Sequence, residues 1–247
     1  MNSNLVLLAL AQGLFLTNNI IFIAINGLVG LSMAPLGWMA TLPVMGYVVG
    51  GAASTSMVAR TQERYGRKRS FQIGLLVGLL SCALSALAAI THQFWGLVAA
   101  TFIAGYYNAN AQLYRFAAAE LAPASKEKAV SWVLAGGLFG AVMGPYIATH
   151  TKNLLDTPFA GAYLTLCLVA LMSLGVISCI QFPPLPPKQS TPDQGRPMSV
   201  IMRQPLFVVS ALAASLSYGI MNLLMAATGT VVTRYSCAGT CSCATAT

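Results

Sequence analysis

ARTQERYGRKR, residues 59–69, is the densest cluster of charge in a chain in which only 7% of the residues are charged and 57% are apolar. It lies between two long segments that contain no charged residue. A soluble domain carries about 25% charged residues, so this chain lacks the charge that a water-facing surface needs. The composition therefore predicts an integral membrane protein whose helices face lipid and one another.

Seven apolar segments are long enough to cross a bilayer, for which a helix needs about 20 residues. Backbone groups in lipid must be paired within the helix, and the period-two alternation of a membrane barrel is absent. The first segment lacks the basic start and the cleavage site of a signal peptide and is predicted to be retained. The predicted fold is all-α, with spans over roughly residues 5–31, 36–58, 71–90, 94–114, 130–149, 159–182 and 206–232.

The basic residues are distributed unevenly among the connections between these spans. A net charge of +8 would suggest nucleic acid in a soluble protein, but here the positive-inside rule explains it. The rule places the N-terminus and the even-numbered connections in the cytoplasm, and nucleic-acid binding is not predicted. Eleven of the thirteen Lys and Arg residues lie in those connections: Arg60, Arg64, Arg67, Lys68, Arg69, Arg115, Lys126, Lys128, Lys188, Arg196 and Arg203.

The first basic connection also has a pattern, Ala59-x-x-x-Glu63-Arg64-x-Gly66-Arg67-Lys68. It resembles the G-x-x-x-D-R-x-G-R-K/R signature between helices 2 and 3 of major facilitator superfamily transporters, with Ala in place of Gly and Glu in place of Asp. In such a pattern an acid can face a helix N-terminus, a glycine allows a tight turn, and basic residues contact anionic lipid headgroups. The resemblance implies a latch between two transporter halves in the outward-open state. The alternative is a charge cluster that only sets the orientation of the chain.

A second stretch, GGLFGAVMGPYIA in span 5, contains Gly140-x-x-x-Gly144-Pro145. It resembles the G-x-x-x-G-P-x-x-G-G pattern of the same family, with Ala148 and Thr149 in place of the last two glycines. Small residues four apart allow close helix contact, and a proline bends the helix. The resemblance implies a packing stripe at the interface between the halves, whereas a purely structural stripe would have the same pattern.

A third stretch, AAAELAPASKEKA, places an acid, Glu120, at the inner end of span 4 before a proline and a basic helix start. This arrangement is similar to one in the same transporters. It implies that Glu120 lies near Arg64 or Arg67 in a charge relay that breaks and reforms during transport. A solvated surface acid is the alternative. The wider sequence resembles an uncharacterised bacterial branch, which implies the bacterial inner membrane.

The resemblance also divides the chain into parts. Residues 1–182 would form a six-helix domain of two inverted three-helix repeats, residues 183–205 a proline-rich cytoplasmic linker, and residues 206–233 the first helix of a second half. Residues 234–247 form an atypical tail, and family-like sequence is expected to end near residues 228–232. We therefore expect a C-terminally truncated transporter that lacks most of its second half. The tail cysteines Cys237, Cys241 and Cys243 have no evident fourth ligand, so no metal site is predicted.

Polar side chains on three spans are candidates for lining a cargo site near the bilayer midplane. Gln12, Asn19 and Asn26 share one face of span 1, because they are seven residues apart. Buried amides either line a wetted cavity or form hydrogen bonds between helices, and both readings stay open here. The candidates are Asn19, Asn26, Tyr107, Asn110, Tyr114 and Asn222.

No Asp, Glu, Lys, Arg or His lies deep within any of the seven spans. Because an intramembrane ionisable group is the usual proton relay, coupling is expected either in a missing half or not at all. The amides and tyrosines favour a neutral or zwitterionic, partly aromatic solute. No cofactor, enzymatic activity or oligomeric state is predicted. The predicted function is secondary transport, and the alternative is a non-transporting membrane fragment with a structural or regulatory role.

Overall fold

A computed structural model of the chain describes residues 3–151, 160–182, 203–221 and 224. The predicted linker (up to residue 202), the predicted tail and Asn222 lie outside the described residues. Within them the regular structure is entirely helical. The first compact unit contains six α-helices: α1 Ser3–Met33, α2 Leu42–Ile90, α3 Phe94–Ala111, α4 Tyr114–Leu121, α5 Lys126–Thr151 and α6 Ala160–Cys179. A second unit contains the helix Pro205–Met221, which we call α7.

Four helices in the described part of the chain are long and apolar enough to cross a membrane: Ser3–Met33, Met39–Ile90, Lys126–Ile147 and Gly161–Cys179. Met39–Ile90 has 52 residues, so at about 1.5 Å per residue it is long enough for two crossings. It contains the predicted spans 2 and 3. The helices α3 and α7 are shorter or more polar. The architecture is that of an all-α membrane protein.

The long helix α2 changes direction at Gly66, where the backbone has φ 82° and ψ 168°. This region of φ/ψ space is accessible essentially only to glycine. The kink divides α2 into a first arm, residues 42–65, and a second arm, residues 67–90. The tight turn expected at Gly66 is therefore a single non-helical residue, and helix resumes on both sides of it.

The predicted span 4 is shorter than the sequence suggested. Helix α3 ends at Ala111, two turn residues follow, and α4 begins at Tyr114. The amide of Leu113 donates to the carbonyl of Asn110, three residues back, at 3.1 Å, so the last turn is tightened. The prediction of one continuous helix over residues 94–114 was therefore wrong at its inner end, where polar residues replace the apolar run.

Glycines bring two pairs of helices into backbone contact. On the seam between α1 and α5, a methyl group added to Gly13 would lie 2.8 Å from the carbonyl oxygen of Gly136. On the seam between the first arm of α2 and α3, a methyl group on Gly50 would overlap the carbonyl of Phe102, and one on Gly105 would overlap the backbone of Gly50 and Gly51. Span 1 thus packs on span 5, and span 4 packs on span 2. If spans 1–3 and spans 4–6 are taken as two repeats, each pair joins the first helix of one repeat to the second helix of the other.

Candidate functional site

The charged connection and the end of α4 meet through one ion pair. The Arg67 Nε donates to Glu120 Oε2 at 2.6 Å, and its Nη2 donates to Glu120 Oε1. The pair is bidentate, which fixes both side chains more tightly than a single contact would. The two side chains are 25% and 47% exposed, so water still reaches the pair. We call this end of the bundle the charged end.

The other residues of the pattern lie around this pair without joining it. The Arg64 guanidinium lies over the ring of Tyr65, 5.5 Å from its centroid. Glu63 is exposed and has no ion-pair partner among the described residues. Lys68 is half-buried and Ala59 is exposed. The structure thus brings together Arg67 and Glu120, and it leaves Glu63 and Arg64 on the surface of the unit.

A cavity of about 740 Å³ opens beside the ion pair. Residues of both arms of α2, of α4 and its flanking connections, and of the start of α5 form its walls. It contains both members of the ion pair and places a further cation, Lys126, at its edge. Its lining residues are Ala59, Gln62, Arg67, Leu113, Phe116, Ala119, Glu120, Pro123 and Lys126.

Asn110 is buried in a hydrogen-bonded cluster close to the kink. Its Nδ2 donates to the carbonyl of Ser70 at 2.7 Å, and its Oδ1 accepts from Ser70 Oγ and from Gln62 Nε2, each at 3.3 Å. Gln62 Oε1 in turn accepts from Arg67 Nη1 at 2.9 Å. Sequence reasoning singled out Asn110 but missed Gln62 and Ser70. They were missed because polar residues within a basic connection are typical of a solvated loop.

The span 1 candidates form bonds between helices. Asn26 is buried, donates to the carbonyl of Phe22 at 2.8 Å and accepts from the hydroxyl of Tyr163 in α6 at 2.9 Å. Asn19 is half-buried and accepts from the Tyr47 hydroxyl in α2 at 2.7 Å. These amides join α1 to its neighbours within the six-helix unit.

The two tyrosine candidates of span 4 are buried in an aromatic cluster. Tyr107 and Tyr114 both pack edge-on against Phe15, with ring centroids 5.6 Å and 6.2 Å apart, and Tyr114 packs against Phe71 at 4.8 Å. Within the described residues, five buried side-chain polar atoms have no hydrogen-bond partner: Gln12 Oε1, Ser85 Oγ, Tyr107 OH, Asn108 Oδ1 and Ser173 Oγ. Asn108 was not singled out from the sequence, although it is adjacent to Tyr107. A buried polar atom without a partner is costly, so each of these atoms would gain from a hydrogen bond.

The span 5 pattern forms the seam between α1 and α5. A methyl group on Gly140 would overlap the carbonyl of Gly13, and the Thr17 hydroxyl donates to the Gly140 carbonyl at 3.2 Å. A methyl group on Gly144 would lie 3.1 Å from Cβ of Ile20, and Pro145 lies inside α5. Ala148 and Thr149 belong to the same helix.

An apolar groove of about 650 Å³ runs along this seam between α1, α5 and α6. Leu10, Trp132 and Phe139 are among its lining residues, and Thr17 is one of its few polar ones. The predicted cargo residues that the structure describes, Asn19, Asn26, Tyr107, Asn110 and Tyr114, do not line this groove. The described residues contain no group of three or more His, Cys, Asp or Glu that could hold a metal ion. The tail cysteines Cys237, Cys241 and Cys243 lie outside the described residues.

Comparison with known proteins gives three findings. The sequence profile described as Major Facilitator Superfamily matches residues 5–244. The chain is 33% identical to the riboflavin transporter RfnT of Brucella anthropi over 227 residues, which cover 91% of this chain and 57% of that protein. It is 27% identical to the uncharacterized MFS-type transporter YdeG of Bacillus subtilis over 168 residues, which cover 66% of this chain and 39% of that protein.

The chain therefore spans 57% or less of the length of these relatives. The profile match extends past residues 228–232, so the expectation that family-like sequence ends there was wrong.

Proposed function

Because the chain belongs to the Major Facilitator Superfamily, we propose that it contributes one six-helix half, and the first helix of the other, to a secondary transporter of a small organic solute. Transport would proceed by alternating access, in which two halves rock about a central site. The similarity to a riboflavin transporter along 91% of the chain carries this proposal. No catalytic site is part of it.

We propose a neutral, hydrogen-bonding heteroaromatic solute of the riboflavin class as cargo. Two independent observations support this class. The predicted spans carry no deep ionisable residue that could neutralise a charged solute. The buried atoms Gln12 Oε1, Tyr107 OH and Asn108 Oδ1 retain unused hydrogen-bonding capacity, whereas Asn26 and Asn110 are already bonded to neighbouring helices. The unpaired set is therefore the better candidate for solute contact.

Arg67 and Glu120 are proposed to act at the inner end of the transporter, with Ala59, Glu63, Arg64, Gly66 and Lys68 as the remainder of a latch toward the second half. We propose that this end and the N-terminus face the cytoplasm and that the membrane is a bacterial inner membrane. The excess of basic residues in the even-numbered connections supports the orientation. A membrane-impermeant maleimide should then label a cysteine placed at Lys68 only from the cytoplasmic side. Labelling from the opposite side would contradict the proposed orientation.

Riboflavin binding tests the cargo class directly. Flavin fluorescence is titrated with the chain in lipid nanodiscs, alone and fused to the part of the Brucella relative that the chain does not match. Saturable quenching by riboflavin, and none with the charged phosphate ester of riboflavin, is the expected result. A folded, monodisperse fusion that binds neither compound would remove the riboflavin class from consideration.

A second candidate function is a non-transporting membrane protein with a structural or regulatory role. Binding without flux would distinguish this candidate from the first.

A further inference from the structure

A continuous chain of side-chain hydrogen bonds runs from the surface ion pair to the interior of the bundle. It begins at Glu120 in α4, passes through Arg67 and Gln62 on either side of the kink, and ends at Asn110 and Ser70. We propose that Gln62 and Asn110 are positioning residues: they hold Arg67 in the orientation that pairs with Glu120. The effect of this positioning on transport rests on the proposed function, whereas the positioning itself does not.

The geometry at Arg67 shows which of its nitrogens bonds to each partner. A guanidinium has five donors in a rigid planar fork, and the Glu120 carboxylate takes two nitrogens, Nε and Nη2. The remaining nitrogen, Nη1, donates to Gln62 Oε1 at 2.9 Å. The plane of the guanidinium is thus defined on one edge by a carboxylate and on another by an amide. Glu63, the acid of the sequence pattern, is exposed, and the adjacent amide occupies the inner position.

Asn110 fixes Gln62 in turn. Gln62 Nε2 donates to Asn110 Oδ1 at 3.3 Å, and Asn110 Nδ2 donates to the Ser70 carbonyl at 2.7 Å. The Asn110 amide also lies against Gly74, where an added methyl group would be 2.6 Å from Nδ2. An amide that is held on three sides, in a site 1% exposed, has one available orientation. Gln62 is therefore anchored to a rigid point.

The network crosses both irregular points of the fold. Gln62 lies before the Gly66 kink and Ser70 lies after it, while Asn110 lies just before the break between α3 and α4. Breaking the Arg67–Glu120 pair would leave Arg67 held only by Gln62, so the bond at the surface and the packing of both α2 arms on α3 are energetically linked. Breaking or forming the ion pair would thus alter the packing of helices within the bundle.

A neighbouring bond provides a matched control. The Tyr106 hydroxyl donates to Thr61 Oγ1 at 3.2 Å, which joins the same two helices one residue away from Gln62. Thr61 forms no hydrogen bond with Arg67 in the described part of the chain, and its own hydroxyl donates to the Met57 carbonyl at 2.8 Å. Its removal should perturb the same seam without affecting the ion pair.

A double-mutant cycle tests the inference on the folded chain in detergent. Gln62→Leu and Glu120→Gln are each expected to lower the thermal unfolding midpoint by about 3 °C. Because the two residues act through the same arginine, the double variant should lose clearly less than the sum of the two shifts. Thr61→Val combined with Glu120→Gln should give the sum. Additive shifts in the Gln62 cycle would overturn the inference.

Two further measurements separate positioning from general packing. Gln62→Met keeps the length of the side chain and removes its hydrogen bonds, so it should reproduce the non-additivity of Gln62→Leu. In the fused transporter, Gln62→Leu should lower riboflavin flux severalfold with riboflavin affinity unchanged. If flux is absent even without substitutions, the proposed function fails while the thermal cycle still decides the inference. Equal losses of affinity and flux would assign Gln62 to cargo binding instead.

Discussion

Two buried tyrosines have hydroxyl groups in opposite situations. The Tyr163 hydroxyl donates to Asn26 Oδ1 at 2.9 Å, whereas the Tyr107 hydroxyl has no partner within the described residues. Both residues are at most 5% exposed. A satisfied buried hydrogen bond contributes about 1 kcal/mol to stability, and an unsatisfied buried hydroxyl costs about 1–3 kcal/mol. The two hydroxyls should therefore respond differently to removal.

Tyr163→Phe is expected to lower the unfolding free energy by about 1 kcal/mol, because it leaves the Asn26 amide oxygen without its donor. Tyr107→Phe should leave stability unchanged or raise it, and should weaken riboflavin binding about fivefold, which corresponds to the loss of roughly one hydrogen bond. Thermal unfolding and flavin titration measure the two effects on each variant. Loss of stability in Tyr107→Phe with unchanged affinity would show that its hydroxyl is structural.

The sequence identified several of these polar positions but could not divide them into paired and unpaired ones. Asn26 and Tyr163 are 137 residues apart, and helical periodicity describes only one helix at a time. For the same reason, spacing placed Asn110 among cargo candidates although its amide is bonded to Ser70. The family resemblance implied that Glu120 lies near Arg64 or Arg67, and in the structure Glu120 pairs with Arg67. Their action as a latch remains a prediction.

At the scale of elements, the kink in α2 depends on one residue. Gly66 has φ 82° and ψ 168°, and an L-residue held in this region costs about 1–3 kcal/mol. Gly66→Ala is therefore expected to destabilise the folded unit by that amount and to disturb the Arg67–Glu120 pair. Gly37, where an added methyl group would meet nothing within 4 Å, is the matched control. Equal unfolding midpoints for Gly66→Ala and Gly37→Ala would contradict the assigned strain.

The seam between α1 and α5 depends on the absence of side chains. Gly140→Ala would place a methyl group on the Gly13 carbonyl, and overpacking of this kind costs about 1–3 kcal/mol. Gly175→Ala in α6 meets open space and should be neutral. Unfolding midpoints in detergent measure both substitutions. A neutral Gly140→Ala would mean that the two helices separate freely at this seam.

Elements were predicted well where the apolar pattern is long and poorly where polarity interrupts it. The predicted spans 5–31, 130–149 and 159–182, which correspond to α1, α5 and α6, contain no charged residue. The end of α3 was misjudged because the polar residues at its inner end were interpreted as one face of a continuous helix. The glycine pattern of span 5 predicted close packing, but its partner on α1, Gly13, has no pattern that identifies it. A glycine contributes to a seam only through the neighbour that approaches it.

For the whole molecule, composition was sufficient to predict a membrane protein. The arrangement of its helices required the structure. Scarcity of charge identified a membrane protein, since a protein surface in lipid does not require charged side chains. The pairing of span 1 with span 5 and of span 4 with span 2 depends on contacts between distant segments, which spacing along the chain does not encode. The proposed solute class rests partly on which polar atoms are unpaired, and that is a property of the folded bundle. The proposed function therefore rests on the family of the chain and on unpaired polar atoms that can be identified only in the folded bundle.

Riboflavin counterflow in proteoliposomes tests the central proposal, that this chain supplies one half of an alternating-access transporter. The chain alone, the fusion to the unmatched part of the Brucella relative, and the fusion carrying Arg67→Ala are compared at equal protein content. We predict flux for the fusion, at least severalfold lower flux for its Arg67→Ala variant, and none for the chain alone. A fusion that is folded and binds riboflavin but exchanges none of it across the bilayer would contradict the account.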